Sequence, residues 1–199
     1  MTVLTNRYGL PQAYVTAASQ VREPKAATIS ITELIKPAQM RSLELQHADE
    51  IVQDVADRID LVFGLAVHDY LAKHAGPDVL AENRMEWRDP ETGWLVTGQP
   101  DYVEWLTVDG GLLVDWKTTR VRALAYDKPE WAAQTNLYAH LLRLNGLPVE
   151  RIEVWALLRD FDRGKLGADP EYPRAPLCKV PVEMWDAATA HEYLRSRLR

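Results

Sequence analysis

The sequence predicts a mixed α/β domain with a central β-sheet. Three observations carry that prediction. Ile51, Val55, Ile59 and Val62 recur at threes and fours, the spacing of one helix face. Three strand-like runs follow, separated by Asp-, Pro- and Gly-containing turns. A second helical segment and a fourth strand come next, and the order helix, three-strand meander, helix, strand makes one layered domain. With 199 residues, 47% of them hydrophobic, the chain is long enough for one compact core and short for two.

In chain order, residues 1–28 are polar, carry Pro11 and Pro24, and read as a loosely structured N-terminal arm; residues 29–199 are expected to form a single domain. Ser30 or Thr32 can start a helix that Pro37 limits. The first long helix is expected over His47–His74, with Gly64 as an interruption and Gly76-Pro77 as its end. Leu80–Trp87 reads as a strand with Glu82, Arg84 and Glu86 on one side and Met85 and Trp87 on the other. Asp89-Pro90-Glu91-Thr92-Gly93 is a turn, Trp94–Val108 a second strand with Pro100 inside it, Asp109-Gly110-Gly111 a hairpin turn, and Leu112–Thr118 a third strand. Pro129 suits the first turn of a helix that runs to Leu144, and Gly146 suits its stop. Arg151–Arg159 is a fourth strand. Phe161–Arg174 is a loop, Ala175–Val182 a further strand, and Glu183–Leu198 a last helix.

Composition narrows the function classes. Seven Trp and eight Tyr argue against disorder. No apolar run reaches the length of a bilayer span. Met1–Arg22 has no apolar stretch after a basic start, so an intracellular, cytoplasmic protein is expected. The single cysteine, Cys178, can form neither an internal disulfide nor, by itself, a zinc or iron–sulfur site. A formal net charge of −6 argues against a passive nucleic-acid coat but leaves room for an enzyme whose acidic site binds cations.

The chemistry concentrates in Gly98-Gln99-Pro100-Asp101, in Leu113-Val114-Asp115-Trp116-Lys117-Thr118, and in Gln134 and Tyr138. On a strand, Asp115 and Lys117 share a face, with Cα atoms roughly 6.5–7 Å apart. A carboxylate and an ammonium following Leu112-Leu113-Val114 sit at the edge of a buried sheet, which is expensive unless a metal and a phosphate compensate. A three-residue loop at Asp109-Gly110-Gly111 puts Asp101 on the same face, whereas a two-residue loop flips the parity. In ideal register Asp101 then pairs near Thr119, about 13 Å from Asp115's partner, so joint metal binding requires a bend or bulge, for which Pro100 marks a place. Two carboxylates suit Mg²⁺, and a lysine beside them suits phosphodiester hydrolysis. Gln134 and Tyr138, four apart on a helix, share a face toward a phosphate or nucleotide.

The ordered series Gly98-x-x-Asp101, Asp115-x-Lys117, Gln134-x-x-x-Tyr138 resembles the PD-(D/E)XK nuclease superfamily, nearest its RecB-like branch of CRISPR-associated and phage exonucleases, over roughly residues 60–158. His68, in Gly64-Leu65-Ala66-Val67-His68, matches that branch's first-helix histidine. The resemblance implies a restriction-endonuclease-like fold, a central mixed sheet flanked by helices. It implies that His68, Asp101, Asp115 and the Trp116 carbonyl bind Mg²⁺ or Mn²⁺, as two ions. Lys117 would be catalytic together with Asp101 and Asp115, while Gln134 and Tyr138 would position the substrate end. Glu82 or Glu86 would add an acidic group. The cysteines of an iron–sulfur subgroup are missing, which favours the cluster-free exonucleases of phage recombination. DNA is the implied partner, with a single-strand annealing or recombination protein beside it, and a 5′-phosphate the implied product end.

Each residue also has a plainer reading. A lone helix histidine is usually a satisfied core residue, most Asp-x-Lys pairs are solvated surface pairs, and Asp101 can be a turn residue after Pro100. Five such residues in the family's order outweigh those readings. Arg120, Arg122 and Lys128 read equally as phosphate contacts and as a solvated loop. Arg195, Arg197 and Arg199 read as a solvated C-terminal face, and Trp87, Trp94 and Trp105 as core or sheet-face aromatics. The expected activity is a metal-dependent DNA exonuclease. The alternatives are a structure-specific or restriction-type endonuclease with the same site, and a catalytically silent DNA-binding module on the same fold.

Overall fold

The computed structural model describes residues 2–20, 25–107 and 110–198. Along the chain it forms β1 (Val3–Thr5), α1 (Gln12–Ala18), β2 (Thr28–Ser30), α2 (Ile31–Leu34), α3 (Ala38–Gln46), β3 (Val52–Asp54) and α4 (Ile59–Lys73). Four short strands follow, β4 (Val79–Ala81), β5 (Met85–Arg88), β6 (Leu95–Gly98) and β7 (Tyr102–Trp105). The chain then continues through β8 (Gly111–Thr119), α5 (Pro129–Leu144), β9 (Val149–Leu158), β10 (Leu177–Val180) and α6 (Ala187–Leu198).

The central sheet has the order β10-β9-β8-β7-β4. Only β8 and β9 in it run parallel, so it is a mixed sheet. A parallel pair needs a crossover, and α5 supplies it. Pro129 sits at the first turn of α5, where its missing N–H costs nothing. The helix stops at Asn145 and Gly146, whose φ of 77° lets the Leu147 N–H reach the Leu142 carbonyl at 3.0 Å. The buried side of α5, with Leu137, Leu141 and Leu142, meets Val103, Leu113 and Ile152 of the sheet and Leu194 of α6 in one core. Among the described residues no helix is long and apolar enough to cross a membrane.

Several sequence expectations are corrected. The first long helix begins at Ile59, not His47. The Asp54 carboxylate caps the 3-10 turn Val55–Arg58, accepting the Ala56 N–H at 3.0 Å, and Val52–Asp54 pairs in parallel with Val3–Thr5. The apolar spacing at Ile51 and Val55 therefore spans a strand and a turn. The N-terminal segment is likewise not loose: β1 joins that sheet, and Ala18 of α1 is buried. Pro24 lies outside the described residues. Arg195 is not solvated, since it pairs with Glu91 and approaches Asp89 to 3.6 Å. Arg197 donates to the carbonyls of Leu34, Ile35 and Lys36 at the end of α2. Arg199 lies outside the described residues.

Two of the expected strands are each split. Leu80–Trp87 resolves into β4 and β5, and Trp94–Val108 into β6 and β7. The outer pair β5/β6 belongs to a three-stranded sheet with β2, the inner pair β4/β7 to the central sheet. Both pairs keep one register, Ala81 facing Tyr102 and Met85 facing Gly98. They form a single long hairpin whose ladder is interrupted in the middle. Pro100, with no N–H to give, lies in that interruption.

Candidate metal centre and active site

The turn between β7 and β8 decides which residues meet. The Leu106 and Thr107 N–H groups both donate to the Gly110 carbonyl at 3.2 Å; Val108, the end of the expected second strand, and Asp109 of the expected turn lie outside the described residues. Gly111 belongs to β8, pairing with Trp105, and a Cβ there would sit 2.8 Å from the Trp105 ring. The glycines thus serve close packing rather than the three-residue turn expected. With Tyr102 facing Val114, Asp101 falls opposite Asp115 rather than near Thr119, and the 13 Å separation expected from ideal register disappears.

At this point Asp101 is 7% exposed and Asp115 0%. Asp101 accepts the Trp116 N–H through Oδ2 at 2.8 Å and faces His68 Nδ1 through Oδ1 at 3.2 Å. His68 reaches the centre from α4, where its Nε2 lies 3.0 Å from the Trp116 carbonyl. One turn earlier on α4, Gly64 brings its backbone to β8, with space for a Cβ 3.7 Å from Thr118 Oγ1. Glu82, in the interrupted hairpin, places Oε1 3.2 Å from His68 Nδ1. Glu86 instead pairs with Arg84 at 3.2 Å and is exposed. Donor atoms of His68, Glu82 and Asp101 all lie within 4.8 Å of one another.

On the α5 side, Lys117 Nζ lies 2.8 Å from Asp115 Oδ2 and donates to Gln134 Oε1 at 2.9 Å. The Lys117–Asp115 contact is an ion pair without hydrogen-bond alignment. Neither buried Asp115 oxygen has a hydrogen-bond partner among the described residues. Gln134 Nε2 donates in turn to the Tyr138 hydroxyl at 3.1 Å, leaving the phenol proton free to be donated.

The charges explain one another. Burial raises the Asp115 carboxyl above the usual carboxylate range against the pull of Lys117, and the Asp101 charge adds to the rise. Burial disfavours a charged His68 ring, but the hydrogen bonds it donates to Asp101 and then Glu82 outweigh it and push its pKa up to about 10. Burial holds the Tyr138 phenol far above its ordinary value, so it stays neutral. Both His68 nitrogens face only acceptors, and the imidazolium charge balances clustered carboxylates. The grouped donors of His68, Glu82 and Asp101, with the fully buried Asp115 carboxylate opposite Asp101, make a donor set that fits a hard divalent cation such as Mg²⁺ or Mn²⁺.

The structure therefore brings together His68, Asp101, Asp115, Trp116, Lys117, Gln134 and Tyr138. Arg120 is not among them: it is exposed beyond the end of β8, close enough to Asp60 for its charge to lower that carboxyl's pKa. Sequence reasoning left Glu82 and Glu86 undecided and passed over Gln99, which donates to Glu82 Oε2 at 2.7 Å. The parity of Glu82 with Asp101 across one hairpin was the available signal.

The sequence matches a family model described as the PD-(D/E)XK nuclease superfamily over residues 12–193. Among solved structures the fold is similar to that titled "Crystal structure of SSO0001", with a TM-score of 0.61 at 15% identity, covering 93% of this chain and 81% of that one. At that identity the likeness speaks for the fold alone. No curated protein matches the chain. The mixed sheet between α4 and α5 is the restriction-endonuclease-like arrangement. With nearly its whole length matched, the chain belongs to the PD-(D/E)XK nuclease superfamily.

Proposed function

We propose that this protein is a Mg²⁺- or Mn²⁺-dependent deoxyribonuclease that hydrolyses phosphodiester bonds from DNA ends, as the RecB-like resemblance implies. The observation that carries the reading is Asp115: a fully buried carboxylate opposite Asp101, ion-paired with Lys117 at 2.8 Å, whose oxygens have no hydrogen-bond partner among the described residues. His68, Asp101, Asp115 and the Trp116 carbonyl would hold the ion. Bound there, the cation would polarise a phosphoryl oxygen and lower the pKa of water. Lys117, braced by Gln134, would face the phosphorus oxygens on which negative charge develops. Gln134 and the neutral Tyr138 hydroxyl offer hydrogen-bond donors to the nucleotide beside the scissile bond.

The test is digestion of 5′- and 3′-labelled linear DNA, single- and double-stranded, with Mg²⁺, Mn²⁺ or chelator, beside a circular single strand. Metal-dependent loss of the linear substrates with the circle left whole is expected. A cut circle would make the enzyme an endonuclease, and no cleavage of any substrate would leave a silent DNA-binding module. Lys117→Ala is expected to lower kcat about 10²–10³-fold or more in a protein that keeps the parent's circular dichroism spectrum. Full activity in that variant would overturn the reading.

A further inference from the structure

Resting on the metal-dependent reading above, we propose that Gln99 is a positioning residue that holds the Glu82 carboxylate onto the metal centre. Glu82 is one of two non-glycine residues with positive φ among the described residues, at 53°. An L side chain adopts that conformation at a cost, and the surroundings must hold it there. The conformation falls where the hairpin leaves the central sheet, between β4 and β5, opposite the Pro100 interruption between β6 and β7. The ladder keeps one bond at this point, from the Glu82 N–H to the Asp101 carbonyl at 3.2 Å, and loses the partner that Pro100 cannot supply.

Freed from regular pairing, the Glu82 side chain is held at both oxygens. Oε1 faces His68 Nδ1 at 3.2 Å and Oε2 accepts from Gln99 Nε2 at 2.7 Å. A carboxylate has only acceptors, so the amide must present its NH₂ side and cannot turn over without losing the bond. Glu82 and Gln99 leave the central sheet on the two strands of one hairpin, so their bond ties the two crossings together beside Asp101. Removing the amide donor frees the carboxylate to swing toward solvent, while the backbone crossing keeps its own bond. Losing such outer-shell partners weakens metal binding about 10–100-fold.

The experiment titrates Mn²⁺ alone into the full chain by calorimetry, comparing the unaltered protein with Gln99→Met, Gln99→Glu, Glu82→Gln and the double variant Gln99→Met/Glu82→Gln. Gln99→Met keeps side-chain length without the donor, and Gln99→Glu sets a second carboxylate against the first. Both are expected to weaken Mn²⁺ binding about 10–100-fold, with melting temperatures of the metal-free proteins close to that of the unaltered chain. Because Gln99 acts through Glu82, the double variant is expected to bind no more weakly than Glu82→Gln alone. Unaltered affinity in Gln99→Met, or additive losses in the double variant, would overturn the proposal while leaving the metal centre standing. Failure of the unaltered chain to bind Mn²⁺ would sink both.

Discussion

Asp115, Lys117 and Glu82 differ in how they reach the site. Asp115 and Lys117 owe their shared face to the two-residue period of a strand, a purely local rule, and were legible in the sequence. Glu82 owes its place to a left-handed backbone angle at an interrupted ladder, which no periodicity encodes. Gln99 was invisible for the same reason, since its partner lies across the hairpin. The strain is measurable. Glu82→Gly and Glu82→Ala both remove the carboxylate and its contact with His68, but only glycine relieves φ of 53°. In differential scanning calorimetry of the metal-free proteins, the glycine variant is expected to melt about 2–4 °C above the alanine variant. An alanine variant at least as stable would show the backbone there to be unstrained.

Among elements, α5 was the most legible, because Pro129 and Gly146 punctuate it and its contacts repeat every turn. The β7/β8 register was not. The Gly-Gly pair read as a turn signal, whereas Gly111 packs under Trp105 across the hairpin and Gly110 answers to a neighbour distant in sequence: a Cβ on Gly110 would lie 2.7 Å from Glu150 Cβ. The β1/β3 pairing was out of reach too, since it joins segments that local pattern cannot link. Gly98, at the end of β6, shows what such close approach controls. A Cβ there would come within 2.8 Å of Leu141, 2.9 Å of Ile31 and 3.0 Å of the Tyr138 ring. All three side chains are buried, so Gly98→Ala is expected to destabilise the fold by about 1–3 kcal/mol in urea unfolding. It is also expected to raise KM by displacing Tyr138. A variant as stable as the parent would mean that these side chains yield freely.

For the molecule as a whole, pH acts through two histidine sites with separate windows. His140 of α5 is buried against His191 of α6, Nε2 to Nδ1 3.2 Å apart, and its own Nδ1 has no partner among the described residues. Burial first, then the neighbouring His191 and Arg143 charges, lower its pKa to about 4. The folded state therefore favours the neutral ring. Its contribution is present above the ordinary value of 6.5 and is lost as pH falls from there toward 4. His68 has the opposite sign: raised to about 10, its contribution in the metal-free protein is complete below 6.5 and lost as pH rises through 10. Asp115, whose carboxyl pKa is raised by burial, gains stability as pH falls through the same range and opposes this loss. Between pH 6.5 and 4 the urea midpoint is therefore expected to change more favourably in His140→Leu than in the parent; an identical change would place the sensitivity elsewhere. One hairpin serves two sheets. The β5/β6 tip and the β4/β7 base belong to different layers, and both joints between them carry residues of the acidic cluster. Any thermal breathing of one layer against the other is felt first at those elbows. Loss of a bound ion is therefore expected to precede loss of shape, and a captured ion would in turn act as a rivet through both layers.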